Sequence, residues 1–141
     1  MKLELKHITP YLPYGLKGLI TDVIENENWH DEVESVCFVD NVLTFGDACD
    51  VYLDEPNETT FNPILRPLSD LTKEIEHNGE KFVPIERLAY WFDFTYLDTL
   101  SLYIQEYPYN VVEKLFEWKF DYFDLIPNGL AIDINTITND I

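Results

Sequence analysis

The sequence predicts an α+β fold: a small N-terminal antiparallel β-sheet or partial barrel packed with a C-terminal helical part. Three observations carry that reading. In "EVESVCFVD" alternate residues separate, with Val33, Ser35, Cys37 and Val39 on one side and Glu34, Val36, Phe38 and Asp40 on the other, at the two-residue period of a strand. In "NVVEKLFEWKFDYFDLI" (110–126) the acids recur at helical spacing instead. Between these segments lies "EPNETTFNP", where Pro56 and Pro63 act as breakers and predict a loop. The length of 141 residues fits one domain, 1–141, with residues 1 to 60 mainly β and acidic and 61 to 141 mainly helical. A hydrophobic share of 46% supplies a core, and 15% aromatics argue against disorder.

Taken in order, "LKGLITDVIEN" predicts a strand from Leu16 to Ile24. "EVESVCFVD" is the next strand, and Asp40-Asn41 suits a tight turn into "VLTF". "VYL" at 51–53 is a further short strand. In the second half, "PLSDLTKEIEHNG" predicts a helix with Ser69 as N-cap that ends at Asn78-Gly79. Another helix starts near Pro84, because proline suits a first helical turn. "DFTYLDTLSLYIQEYP" (93–108) is open between helix and strand. "GLAIDINTI" closes the chain as a short strand.

The segment from 110 predicts a helix over about Val111 to Asp124, with Asn110 as N-cap and Glu113 in capping-box position. At ~100° per residue, Glu113, Glu117, Asp121 and Asp124 fall in a stripe roughly 80° wide. The aromatics occupy most of the remaining surface, so they predict core packing, with one acidic seam toward water. Lys119 falls inside the apolar arc and is expected to snorkel or to pair with an acid. Acids one turn apart rise ~6 Å along a helix, whereas phosphates rise ~3.4 Å per DNA strand. One seam is therefore too sparse to imitate a nucleic acid without the acidic β region.

The formal net charge is −18. That opposes direct binding of nucleic acid or of an anionic membrane. The charge is also uneven. Residues 18 to 65 hold no Lys or Arg, yet contain Asp22, Glu25, Glu27, Asp31, Glu32, Glu34, Asp40, Asp47, Asp50, Asp54, Glu55 and Glu58. All 9 basic residues lie outside that span. The asymmetry suits either solubility or a protein partner with a basic surface. The residues singled out for such a partner are Trp29, His30, Asp31, Glu32, Glu34, Asp47, Asp50, Asp54 and Glu55, with the seam of Glu113, Glu117, Asp121 and Asp124. Tyr11, Tyr14, Trp29, Tyr52, Tyr96, Tyr107 and Tyr109 lie in expected loops or element ends, and Tyr and Trp favour interface hot spots. Trp29, in an expected acid-rich turn, stands out among them.

No catalytic pattern of strength is present. The glycines at 15, 18, 46, 79 and 129 are isolated, so no phosphate loop or dinucleotide fingerprint exists. His30, Asp31 and Glu32 lack a second cluster with metal-ligand spacing, and "DACDVYLDE" lacks the order of a calcium loop. Cys37 and Cys49 predict two reduced, partly buried thiols. The expectation is a protein without cofactor or metal that is not an enzyme. No apolar run approaches the ~18 residues of a membrane span, and the first residues lack the apolar region of a signal peptide. The expected location is the cytoplasm.

Three stretches, "MKLELKHITPYLPYGLK" (1–17), "ILRPLSDLTKEIEHNGEKFVPIERL" (64–88) and "VVEKLFEWKFDYFDLIPNGLAIDINT" (111–136), resemble a family of small uncharacterised proteins from Bacteroidota phages and prophages. They cover about half the chain, and the acidic span 18–63 and residues 89–110 fall outside the pattern. The resemblance implies a mobile-element context in the host cell. There, a small acidic protein is expected to occupy the basic nucleic-acid-binding surface of a host nuclease, CRISPR effector or similar defence factor. The alternative is a phage structural or assembly component. An enzyme of unknown reaction is a third reading.

Overall fold

The computed structural model describes residues 1–46, 49–90 and 107–137. In chain order these form α1 (Leu5–Ile8), a 3-10 helix (Thr9–Tyr14), β1 (Lys17–Asp22), β2 (Glu27–Cys37), β3 (Val42–Phe45), β4 (Asp50–Tyr52) and β5 (Thr59–Leu65). A 3-10 helix (Leu68–Thr72), β6 (Ile75–His77), β7 (Glu80–Phe82), α2 (Pro84–Leu88), α3 (Tyr109–Glu117), β8 (Ile132–Asp133) and a last 3-10 turn (Ile134–Thr136) follow. The ambiguous stretch 93–108 lies almost wholly outside the described residues.

The fold is α+β. A six-stranded sheet runs in the order β4-β3-β2-β1-β5-β8, antiparallel except for the β5/β8 pair. β2 organises it. Its residues 27–32 pair with β1, its residues 33–37 pair with β3, and the register shifts between Val33 and Ser35. Such a bulge bends a strand and strengthens its twist. The sheet curls until β4 packs near β5 without sharing a ladder with it. It is an open, barrel-like sheet, as the alternation in the first half predicts.

One core fills the curl. Ile20, Val33, Leu43, Phe45, Val51 and Phe61 from the strands meet Leu5, Ile8, Tyr11 and Leu16 from the first sixteen residues. The Phe61 ring lies across Gly18, where an added Cβ would stand 2.4 Å from the ring. No residue with a side chain fits there. A second core gathers Leu71, Ile75, Phe82, Leu88, Val111, Leu115, Trp118 and Phe120. Tyr11 couples the two. It is fully buried, and its hydroxyl donates to the Phe120 carbonyl and accepts from the Tyr122 N–H. Placing Tyr11 in an exposed loop is therefore wrong; its apolar body fills the first core and its polar tip finds backbone.

Residues 61 to 141 are not mainly helical among the described residues. The helix expected over 69–79 is a short 3-10 helix followed by the β6/β7 hairpin. Asn78 (φ 53°) and Gly79 (φ 80°) are both left-handed and join His77 to Glu80 as a two-residue loop. That is the preferred chemistry of a type I′ hairpin turn, and it outweighs the helical reading of Asn-Gly as a stop. "EPNETTFNP" is also not all loop, because β5 begins at Thr59. Phe61 and Pro63 alternate inward with Leu65. β8 joins only at Ile64 and Leu65, so the flank beside Pro63 carries no ladder to break. The short helix from Pro84 and the late strand at 132–133 form as predicted.

The helix from 110 is the largest correction. α3 starts at Tyr109 behind Pro108 and ends at Glu117, seven residues before Asp124. Lys119 takes φ 63°, its N–H bonds the Phe116 carbonyl at 3.0 Å, and the Phe120 N–H bonds the Leu115 carbonyl at 2.8 Å. This is the paired closure of a Schellman motif, here with lysine where glycine is usual. Phe120 then bridges to Arg66 beyond the end of β5. The aromatics still serve as core. Phe116 packs edge-on to Tyr11 at 5.0 Å and against Tyr122 at 4.9 Å, and Trp118 stacks at a tilt on Phe82 at 5.0 Å.

Candidate functional site

The strand pleat divides the residues predicted to face a partner. Along β2, Trp29, Asp31 and Val33 turn toward the core side, while Asn28, His30, Glu32 and Glu34 are exposed. Trp29 sits opposite Ile20 in a strand, half-buried against the first core, and is not in a turn. The Asp31 Oδ1 accepts from the Glu32 N–H at 2.7 Å, and its Oδ2 is enclosed without a partner. Glu34 is exposed at the bulge, and Asp50 is exposed at the start of β4. Asp54 is exposed too, and binds the Lys2 ammonium at 2.9 Å and the Asn41 amide at 3.1 Å, which hold its carboxyl below the usual range. Glu55 is exposed in the following turn, and Asp47 lies outside the described residues.

Among the described residues these acids are spread over strands and turns. What most of those described share is exposure without countercharge. Glu25, Glu27, Glu32, Glu34, Asp40, Asp50, Asp54, Glu55 and Glu58 are all exposed. Among the described residues of this span, Asp54 is the one acid with an ion-pair partner. Surface charges of one sign at this density add to a negative field over β2, β3, β4 and their turns.

The C-terminal acidic seam does not exist as one face. The left-handed Lys119 rotates everything after α3 out of helical register. Glu113 and Glu117 remain on α3, half-buried, with Glu117 paired to Lys114 at 3.1 Å. Asp124 is exposed in a left-handed turn. Asp121 points inward: it is 2% exposed, and its carboxylate accepts from the Leu125 and Ile126 N–H groups at 2.8 and 2.9 Å. Burial pushes its pKa up, and those two N–H groups pull partly back. It caps the turn that folds 122–126 and is no part of a surface.

Two features escape the sequence reading. The β2–β3 turn presents Phe38 (67% exposed) and Val39 (93%) beside Asp40. Strand alternation assigns Phe38 and Val39 to opposite faces, but a turn exposes both. The second feature is a convergence of Lys17, Arg66 and Lys119, which nothing local in the sequence connects. Of the predicted aromatics, Tyr52 and Tyr109 are exposed, Tyr14 and Tyr107 half-buried, and Tyr96 outside the described residues. Cys37 is exposed and Cys49 half-buried, both as free thiols. Burial, ahead of Asp50, Asp22 and Asp31, pushes the Cys49 thiol up.

Among the described residues, no three His, Cys, Asp or Glu side chains gather as a metal-ion group. No helix among them is long and apolar enough to cross a membrane. No family model, no curated protein and no solved structure matches this chain.

Proposed function

We propose that the protein acts by binding, presenting the acidic surface of β2, β3, β4 and their turns to a protein with a basic, nucleic-acid-binding surface. The observation that supports this is the unpaired charge: nine exposed acids between Glu25 and Glu58 of which Asp54 alone has an ion partner among the described residues. Neutralising such a field is favourable for a partner whose own cations ordinarily meet phosphates. Phe38 and Val39, exposed beside Asp40, supply the apolar anchor that charge alone lacks. With the resemblance to phage and prophage proteins, the reading becomes inhibition of a host defence factor by occupation of its nucleic-acid site.

The test is affinity capture from nuclease-treated host lysate with wild type and with a Glu25→Lys/Glu27→Lys/Glu34→Lys variant. A basic prey that leaves in high salt, yields to added DNA and ignores the variant supports the reading. A prey held equally by both proteins and indifferent to salt contradicts it.

A second reading, an assembly component, draws on the same apolar tip at Phe38 and Val39. It predicts a defined oligomer in light scattering that Phe38→Ser/Val39→Ser dissolves.

A further inference from the structure

In a chain of net charge −18, three of the 9 basic residues converge on one cleft of about 400 Å³. Lys17 comes from β1, Arg66 from the chain just after β5, and Lys119 from the turn that ends α3. Arg66 donates Nε to the Trp118 carbonyl at 3.1 Å and one terminal nitrogen to the Glu76 carbonyl at 2.8 Å. Lys119 donates to the Tyr14 carbonyl at 2.8 Å and the Glu117 carbonyl at 3.3 Å. These carbonyls hold the cations in place without neutralising them. Among the described residues none of the three has an ion-pair partner, although Glu32 lines the same cleft. Glu117, the other carboxylate acting on Lys119, is paired to Lys114. Burial lowers the pKa of both Arg66 and Lys119. Lys119 also occupies a left-handed backbone position, φ 63°, that favours glycine. Half-buried like charges and a strained lysine oppose folding, in a chain with 27 acids available to relieve them.

We propose that this cleft binds a small phosphate monoester, its phosphoryl group on Arg66, Lys17 and Lys119 and its organic part against Tyr14, Ile64 and Ile134. Fixed cations with a guanidinium fork match a compact dianion better than a single carboxylate. The cleft is larger than a bare phosphate needs and lies in the range of small-molecule sites. A nucleic acid strand would lay further phosphates along the surrounding acidic surface, whereas a small dianion carries its charge only at the cleft. The site shares only Glu32 with the acidic surface proposed for the basic partner, and its test involves no partner.

The test follows amide shifts of the full chain on titration with inorganic phosphate, a nucleoside monophosphate and a sugar phosphate. Saturable shifts are expected at Lys17, Arg66 and Lys119, with at least one monoester about tenfold tighter than inorganic phosphate. Lys119→Gly removes a cation and suits the left-handed backbone. It is expected to weaken binding about tenfold while leaving the unfolding midpoint unchanged or raised. Lys17→Glu, at an exposed residue, should weaken binding at least as much, and Glu32→Gln should tighten it. Binding should also raise the pKa of His77, which burial first, then Lys119 and Arg66, hold low. Glu117 opposes that lowering and Lys114 adds to it. No saturable shift at the three cations, monoesters no tighter than phosphate, or binding that survives both lysine variants would each overturn the proposal.

Discussion

The acids of residues 18 to 65 and the cations of the cleft follow opposite rules. Among the described residues most of these acids stand outward on strands and turns without an ion partner, Asp22, Asp31 and Asp54 being the ones bound to neighbours. The cations come from three distant points of the chain; Arg66 and Lys119 are half-buried and fixed by backbone carbonyls, with Lys17 exposed at the rim. A field made of many solvated charges is tolerant of single changes, because each contributes through screened, long-range terms. A cluster fixed by geometry is not, because Arg66 and Lys119 are each held by one set of atoms. Replacing one outward acid should therefore change little, and replacing one group held inside should change much.

The sharpest disruption strikes the floor common to both regions. β1 pairs with β2, which bears the acids, and carries Lys17 to the cleft. Gly18→Val places a Cβ 2.4 Å from the Phe61 ring and 2.5 Å from the Asn62 carbonyl oxygen, and the backbone oxygen has nowhere to retreat. The expected loss is about 3 kcal/mol or more in urea unfolding.

Asp121 is the next largest, and it separates an acid of structure from the acids of the field. Asp121→Ala strands a buried N–H group at Leu125 and a part-buried one at Ile126, and should cost about 3 kcal/mol. Glu113→Gln on the supposed same seam should cost no more than about 0.5 kcal/mol. The pH dependence of Asp121 also has a distinct sign. Its folded pKa lies above the ordinary 3.8, so the folded state holds the proton more tightly than the unfolded one. Wild type should therefore lose stability relative to Asp121→Asn as pH rises from about 3.8 through the folded value.

The histidines respond in the reverse direction. His7 is 5% exposed and accepts the Glu4 N–H on Nδ1 at 3.0 Å, and burial lowers its pKa below 6.5 ahead of the opposing Glu4 and the reinforcing Lys6. His77 is lowered from 6.5 as well. Their contribution is present above pH 6.5 and lost as pH falls through the folded values. His77→Gln should flatten part of that fall, measured by urea midpoints across the interval. It should do so less steeply when phosphate fills the cleft.

The smallest effects belong to the outward residues. Phe38→Ser and Val39→Ser should each change stability by less than about 0.5 kcal/mol, since both side chains are already in water. A larger cost would show that the turn is packed and would remove it from the binding surface.

Most of the sheet is legible in the sequence because burial enforces a two-residue period wherever one face is covered. Val33, Phe45, Val51 and Phe61 show it. The C-terminal seam is not legible. A wheel drawn over 111–124 assumes one continuous helix, and the left-handed conformation of Lys119 is a tertiary choice that its residue type disfavours. Asn78-Gly79 carried the right signal in the wrong context, since the same pair stops helices and turns hairpins. The outward acids of β2 could be named from alternation, apart from Asp31, which that same alternation turns inward. The cation cleft depends on residues 17, 66 and 119 meeting in space, which no local pattern encodes.

The measurement that tests the central claim most directly is the affinity of the captured basic partner for wild type and for Glu25→Lys/Glu27→Lys/Glu34→Lys, at low and high salt. Binding that depends on the acidic surface predicts a steep loss with salt for wild type, little residual binding for the variant, and displacement of wild type by DNA. Equal affinity for both proteins, unmoved by salt, would contradict it.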